Sequence, residues 1–103
     1  MKLPKDQKIL LKIFRKYINK NDKILDVGCG VGRNLKLLKL AGFNNIHGTD
    51  ISDKMLSITK GEGFNVINNV EVDNFSENKF DVLLFSHVIE HINEDEIQIF
   101  VEK

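Results

Sequence analysis

The chain has little of what marks secreted, membrane-spanning or nucleic-acid-binding proteins. Its 103 residues include a single cysteine, Cys29, so no intrachain disulfide can form and we expect a reducing, cytoplasmic setting. Lys plus Arg and Asp plus Glu each number 15, which gives no electrostatic case for nucleic acid or an anionic membrane. No apolar run is long enough to cross a bilayer, and the start of the sequence has no apolar segment typical of a signal peptide. The length indicates one domain, and an apolar content of 42% indicates a real core.

The most informative stretch is a glycine-rich loop between an apolar run and a helical pattern. Residues 24–34 read ILDVGCGVGRN, with glycine at positions 28, 30 and 32. A second apolar strand then ends on Asp50. Glycines let a backbone turn sharply and approach a ligand, and an acid at the end of the second strand can bind both hydroxyls of a ribose. The pattern predicts a nucleotide-binding βαβ unit.

The glycine spacing distinguishes between two classes of ligand. A dinucleotide site has G-x-G-x-x-G, which requires glycine at position 33, where this chain has Arg33. Asp26 also precedes the first glycine by two residues, where a dinucleotide site normally has an apolar residue. The run from Asp26 through Gly28 and Gly30 to Gly32 resembles motif I of the class I S-adenosylmethionine-dependent methyltransferases.

Strand and helix patterns alternate along the chain. We predict helices over 5–19, from 34 to about 41, over 53–60 and from about 94, the last opened by the capping-box pair Asn93 and Glu96. Strands are predicted over 23–27, 45–49, 64–68 and 80–85. The expected fold is an α/β, Rossmann-like three-layer sandwich with a parallel sheet of strand order 3-2-1-4.

A second resemblance lies in residues 80–92. Their sequence, FDVLLFSHVIEHI, looks like the strand-four signature of ubiquinone-biosynthesis-type and related small-molecule methyltransferases. The resemblance implies two parts: an N-terminal amphipathic helix in residues 1–22 that packs on the domain, and the N-terminal half of an S-adenosylmethionine-binding methyltransferase domain in residues 23–103. It also implies methyl transfer to an unidentified small-molecule acceptor, with S-adenosylmethionine as cofactor and S-adenosylhomocysteine as product.

The resemblance also implies a set of cofactor contacts. The loop would wrap the methionine part of the cofactor, with Asp26 supporting its ammonium group. Asp50 would bind the ribose, Ile51 would lie against the adenine, and the residues after the fourth strand would face the sulfonium. The family usually has an acid near the adenine amino group; the residue at that position is open among Asn69, Glu71 and Asp73, of which we select Glu71. The expected cofactor-binding residues are therefore Asp26, Gly28, Cys29, Gly30, Gly32, Asp50, Ile51, Glu71, Ser86 and His87.

The chain also departs from the family pattern. The full family fold has seven strands, and this sequence accounts for four, so we expect the fourth strand or its neighbour to have an open edge. A second chain or a second copy could cover that edge. Two alternative functions follow: a catalytically silent cofactor-binding fragment, and one half of a two-chain methyltransferase. A dinucleotide-dependent oxidoreductase is disfavoured by the glycine spacing.

The segment after the fourth strand permits a metal-binding interpretation. His87, Glu90 and His91 match H-x-x-E-H, an inverted zinc-protease motif, and part of it is similar to the metal-binding run of small-RNA 2′-O-methyltransferases. We favour a structural role for Glu90 and His91 and predict no metal, because the motif follows a buried strand in a glycine-loop domain. No catalytic residue is assigned.

Overall fold

The computed structural model describes residues 4–68, 80–86 and 97–101, which form three helices and five strands. In chain order these are α1 (Lys5–Tyr17), β1 (Ile24–Val27), α2 (Arg33–Leu40), β2 (Ile46–Thr49), α3 (Asp53–Gly61), β3 (Asn65–Val66), β4 (Val82–Ser86) and β5 (Ile97–Val101). The strands form one sheet of order β3-β2-β1-β4-β5. The first four strands are parallel, so the predicted order 3-2-1-4 is confirmed.

The pairing register aligns the carboxyl ends of the central strands. Val27 pairs with Thr49 on one side and with Phe85 on the other. The segments after β1, β2 and β4 therefore leave the sheet at one edge, which we call the carboxyl edge. Parallel α/β sheets bind ligands at this edge, close to the point where the strand order reverses.

The fifth strand corrects two expectations. A helix was predicted from about residue 94, but residues 97–101 form β5, antiparallel to β4. Ile97, Ile99, Phe100 and Val101 are β-branched or aromatic, and such residues favour an extended chain beside an unpaired strand. The expected open edge on β4 is also wrong, since β4 pairs with β1 on one side and β5 on the other. That edge gives no reason for a second chain.

The core lies between one face of the sheet and the helices α1 and α2. Ile24, Ile46 and Val82 pair in register and therefore project from the same face. Phe14 of α1 and Leu38 of α2 are fully buried in the same cluster. This packing holds α2, and with it the loop that opens it, against β1 and β2. Within the described ranges, no helix is both long and apolar enough to span a membrane.

Candidate functional site

The loop between β1 and α2 has a backbone that glycine alone adopts easily. Gly28, Gly30 and Gly32 have φ values of 80°, 56° and 89°, in the left-handed region. At Gly28 a Cβ atom would have no heavy atom within 4 Å, so conformation rather than crowding requires glycine there. At Gly32 a Cβ would also lie 3.2 Å from Cγ2 of Thr59. The loop therefore turns tightly and presents a surface without side chains at the first glycine.

The backbone amides of this loop are directed into the protein. Gly28 and Cys29 both donate to the carbonyl oxygen of Thr49, at 2.8 and 2.9 Å. Gly32 donates to the carbonyl oxygen of Cys29 at 3.0 Å, and Gly30 donates to Oδ2 of Asp50 at 2.9 Å. A dinucleotide loop uses free amides to bind a pyrophosphate. Four amides of this loop already have acceptors, which agrees with the sequence argument against a dinucleotide.

Asp50 connects the loop to the start of α3. Its Oδ2 accepts from Gly30, and its Oδ1 accepts the backbone N–H of Ser52 at 2.9 Å. Ser52 caps α3 by accepting from the N–H of Met55 at 3.2 Å. A carboxylate has about four lone-pair positions, so each oxygen of this half-buried group retains capacity for a ligand hydroxyl. Asp50 is thus a fixed acceptor at the end of β2.

Asp26 is the most unusual polar group in the described residues. Its side chain is 0% exposed, and neither carboxylate oxygen has a hydrogen-bond partner of ordinary geometry among those residues. Burial raises the pKa of Asp26 to about 8; a hydrogen bond of looser geometry with the Asn34 side chain opposes the rise, and the charge of Asp50 adds to it. The group is therefore mostly protonated at neutral pH. An unsatisfied buried carboxyl beside a second acid is suited to receiving a cation.

Two further loop residues differ sharply in exposure. Ile51, directly after Asp50, is 85% exposed. Cys29 is buried, and desolvation followed by the charges of Asp26 and Asp50 raises the pKa of its thiol to about 11. A thiol with that pKa is not a nucleophile at neutral pH. Cys29 is a packing residue of the loop.

The structure brings together most of the predicted site residues. Those that meet at the carboxyl edge are Asp26, Gly28, Cys29, Gly30, Gly32, Asp50 and Ile51. Ser86 ends β4 at the same edge. Glu71 and His87 lie outside the described residues, as do Asn69, Asp73, Glu90 and His91, so their assigned roles stay predictions.

Sequence reasoning missed two residues that shape the loop. A Cβ on Gly48 of β2 would lie 2.8 Å from Cδ1 of Leu35 and 2.9 Å from Sγ of Cys29, so only glycine fits beneath the loop. Glycine inside a strand is a signal of close approach and could have been recognised. Thr59 of α3 is fully buried, and its hydroxyl donates to the carbonyl oxygen of Gly30 at 2.7 Å. Nothing local in the sequence marks that contact, which joins residues 29 positions apart.

A cavity of about 100 Å³ lies at the opposite edge of the sheet, between the starts of β2 and β3. Ile46, Phe64 and Lys39 are among its lining residues. It is smaller than the 300–1,000 Å³ typical of small-molecule sites and contains none of the predicted cofactor residues. The candidate site is therefore the carboxyl edge, on the basis of its side chains and topology.

Comparison with known proteins agrees with this geometry. Residues 5–98 match the family described as "Methyltransferase domain". The chain belongs to this methyltransferase family. Uncharacterized protein MJ1252 of Methanocaldococcus jannaschii is 36% identical over 85 residues, covering 80% of this chain and 32% of the relative.

Solved methyltransferase structures share the fold. A SAM-dependent methyltransferase from Archaeoglobus fulgidus is 27% identical with a TM-score of 0.57, covering 86% of this chain and 42% of that one. A TehB-like SAM-dependent methyltransferase from Corynebacterium glutamicum is also 27% identical, with a TM-score of 0.60 and coverage of 84% and 48%. This methyltransferase-family chain spans about a third of the length of the curated relatives it matches and less than half of these structures.

Proposed function

We propose that the carboxyl edge binds S-adenosylmethionine and that the chain is the cofactor-binding part of a methyltransferase acting on a small-molecule acceptor. The observation that carries the proposal is that a buried acid without a partner of ordinary geometry, Asp26, lies beside a fixed acid, Asp50, at a loop with four of its amides already bonded. Such a site provides acceptors and negative charge. S-adenosylmethionine has an ammonium group and a sulfonium, which favour negative charge, and a ribose diol, which needs acceptors; only its carboxylate needs donors, whereas a pyrophosphate needs them throughout.

Each part of the cofactor has a complementary residue in the proposal. Asp26 supports the ammonium group, and its ionisation is favoured once a cation lies beside it. Asp50 accepts the ribose hydroxyls, because both of its oxygens are held in place by the amides of Gly30 and Ser52. The exposed side chain of Ile51 packs against the adenine. Gly28 gives the backbone a close approach to the methionine part, since no Cβ intervenes.

The cofactor, when bound, supplies a methyl group on a positively charged sulfur. The protein's part in such a transfer is mainly to hold the two reactants in line, which contributes most of the rate. The described residues provide the cofactor half of that arrangement. We also place Glu71, Ser86 and His87 in the same site, and we propose a cytoplasmic location because a sequence with one cysteine fits a reducing compartment.

The proposal is tested by calorimetric titration of this chain with S-adenosylhomocysteine and, separately, with reduced nicotinamide adenine dinucleotide. We expect saturable binding of the first ligand and none of the second. Binding of the dinucleotide without S-adenosylhomocysteine would instead support the oxidoreductase alternative. Binding of S-adenosylhomocysteine without methylation of any acceptor in a broad panel would support the silent-module alternative.

The position of the site is tested with two acids three residues apart. Asp50→Ala removes charge-assisted hydrogen bonds to the ribose, each worth about 1.5–3 kcal/mol, so S-adenosylhomocysteine affinity should fall at least tenfold. The control is Asp53→Ala, which removes an exposed acid in the first turn of α3. Asp53→Ala should bind S-adenosylhomocysteine with the affinity of the wild type. Equal affinity of Asp50→Ala and the wild type would show that the ribose binds elsewhere.

A further inference from the structure

Gly30 is held at both of its backbone polar groups by residues of the next βα unit. Its N–H donates to Oδ2 of Asp50 at 2.9 Å. Its carbonyl oxygen accepts from the hydroxyl of Thr59 at 2.7 Å. Asp50 is in turn bonded to the N-cap of α3, and Thr59 lies in the last turn of the same helix. The middle glycine of the loop is therefore held on one side by Asp50, which precedes α3, and on the other by Thr59 of α3 itself.

The Thr59 contact is more than helix packing. A threonine within a helix commonly bonds to a carbonyl of its own preceding turn, but this hydroxyl donates across to the loop. Its side chain is 0% exposed, where an apolar residue would avoid burying a hydroxyl. Its Cγ2 also lies 3.2 Å from the place that a Cβ on Gly32 would occupy. Thr59 thus bonds to Gly30 and occupies the space that a side chain on Gly32 would need.

We propose that Thr59 is a positioning residue for the cofactor: its hydroxyl fixes the Gly30 carbonyl and so holds the loop in the conformation that receives the methionine part. This rests on the proposed function. Glycine has the widest conformational freedom of any residue, so a loop with three glycines needs external contacts to remain in one shape. A loop ordered before the ligand arrives binds more tightly than one that must be ordered on binding. Thr59 acts through Gly30 and does not touch the cofactor in this proposal.

Two matched pairs of variants isolate the hydroxyl. Thr59→Val replaces the hydroxyl with a methyl group of similar size, and wild type is its reference. Thr59→Ala differs from Thr59→Ser by the hydroxyl alone. We expect about tenfold weaker S-adenosylhomocysteine binding in Thr59→Val than in wild type, and in Thr59→Ala than in Thr59→Ser. Thr59→Ser should restore affinity to within about threefold of the wild type.

A second ligand separates positioning from general structural support. 5′-Methylthioadenosine has the nucleoside but lacks the amino-acid end of the cofactor, so Thr59→Val should weaken its binding much less than that of S-adenosylhomocysteine. Equal losses for the two ligands, or wild-type affinity in folded Thr59→Val, would overturn the proposal. Unfolding of both hydroxyl-free variants while Thr59→Ser folds would also overturn it, because the hydroxyl would then serve the fold itself. Failure of the wild type to bind either ligand would reject the proposed function instead.

Discussion

One acid at the carboxyl end of the sheet, Asp26, differs from Asp50 beside it and from the acids at the amino end, which all accept backbone N–H groups. At the amino end, Asp22 precedes β1 and its Oδ2 accepts the backbone N–H of Asn19 at 2.9 Å. Asp81 precedes β4 and accepts the N–H of Lys23 at 2.8 Å. At the carboxyl end, Asp26 is fully buried, and neither of its oxygens has a partner of ordinary geometry among the described residues. The amino-end acids complete turns, whereas Asp26 accepts no backbone N–H and has only the Asn34 side chain as a partner of looser geometry.

The amino-end acids stabilise the fold through their hydrogen bonds, whereas the burial of Asp26 lowers the free energy of unfolding. A buried polar group without a partner is destabilising by about 1–3 kcal/mol, and more when it is charged. Sites that violate the ordinary rules of burial tend to be functional. The contrast therefore supports our proposal that Asp26 serves a ligand, whereas Asp22 and Asp81 stabilise turns of the fold. Variants at the two ends of the sheet should give different readouts.

The largest expected effect is on how the free energy of unfolding depends on pH, because the Asp26 carboxyl titrates differently in the folded and unfolded chains. Its pKa is raised to about 8 in the folded chain, so between about pH 4 and pH 8 the folded state keeps a proton that the unfolded state has lost. The free energy of unfolding should fall as pH rises through this window and level off above it. Asp26→Asn cannot titrate, so the difference in free energy of unfolding between wild type and variant should change by about 5–6 kcal/mol across the window.

Urea unfolding of both proteins at intervals from pH 4 to pH 9 measures this difference. Other titrating groups are shared by the two proteins and cancel in the subtraction. A difference that stays constant with pH would mean that Asp26 is ionised in the folded protein, and therefore solvated or paired.

The next largest effect is expected at Gly48, where the loop rests on β2. A methyl group there would lie 2.8 Å from Leu35 and 2.9 Å from Cys29, and overpacking of this kind costs about 1–3 kcal/mol. The control is Gly61→Ala, since a Cβ on Gly61 has nothing within 4 Å and alanine favours a helix by about 0.5–1 kcal/mol. Thermal unfolding should show a lower melting temperature for Gly48→Ala and a slightly higher one for Gly61→Ala. Gly48→Ala with wild-type stability would show that the loop does not pack closely on β2.

The smallest effect is expected at the amino end. Asp22→Ala leaves the N–H of Asn19 without its acceptor, which should lower the free energy of unfolding by about 1 kcal/mol. Asp22→Asn keeps an acceptor oxygen and should lose less. Both variants should bind S-adenosylhomocysteine with wild-type affinity, measured by the same calorimetric titration. A clear loss of affinity in either would contradict the assignment of this end to architecture alone.

Much of the fold could be predicted because its signals are local. The three glycines, Asp26 and Asp50 identify the loop and the second strand end, and the alternation of strands and helices gives the strand order. Residues 97–101 could not be assigned in this way. The capping pair Asn93 and Glu96 predicts a helix, but the available edge of β4 favours a strand, and that edge is not visible in the local sequence.

The internal contacts of the site were also beyond sequence reasoning. The glycines have the spacing of a ligand-binding loop, and that spacing is visible in the sequence. The acceptors of the loop N–H groups, such as the Thr49 carbonyl and the Asp50 carboxylate, come from another strand or its end and are not visible. Thr59 reaches Gly30 from 29 positions away. Such contacts depend on how α3 packs, so no spacing rule identifies them.

We expect Asp26 to gain a charged partner only when the cation of a ligand lies beside it. Calorimetric titration of S-adenosylhomocysteine at pH 7, in two buffers of different ionisation enthalpy, measures the protons released on binding. Because Asp26 is mostly protonated before binding, the wild type should release roughly one proton per ligand and Asp26→Asn should release close to none. Binding by the wild type without proton release would contradict the claim that Asp26 becomes the ionised partner of the cofactor.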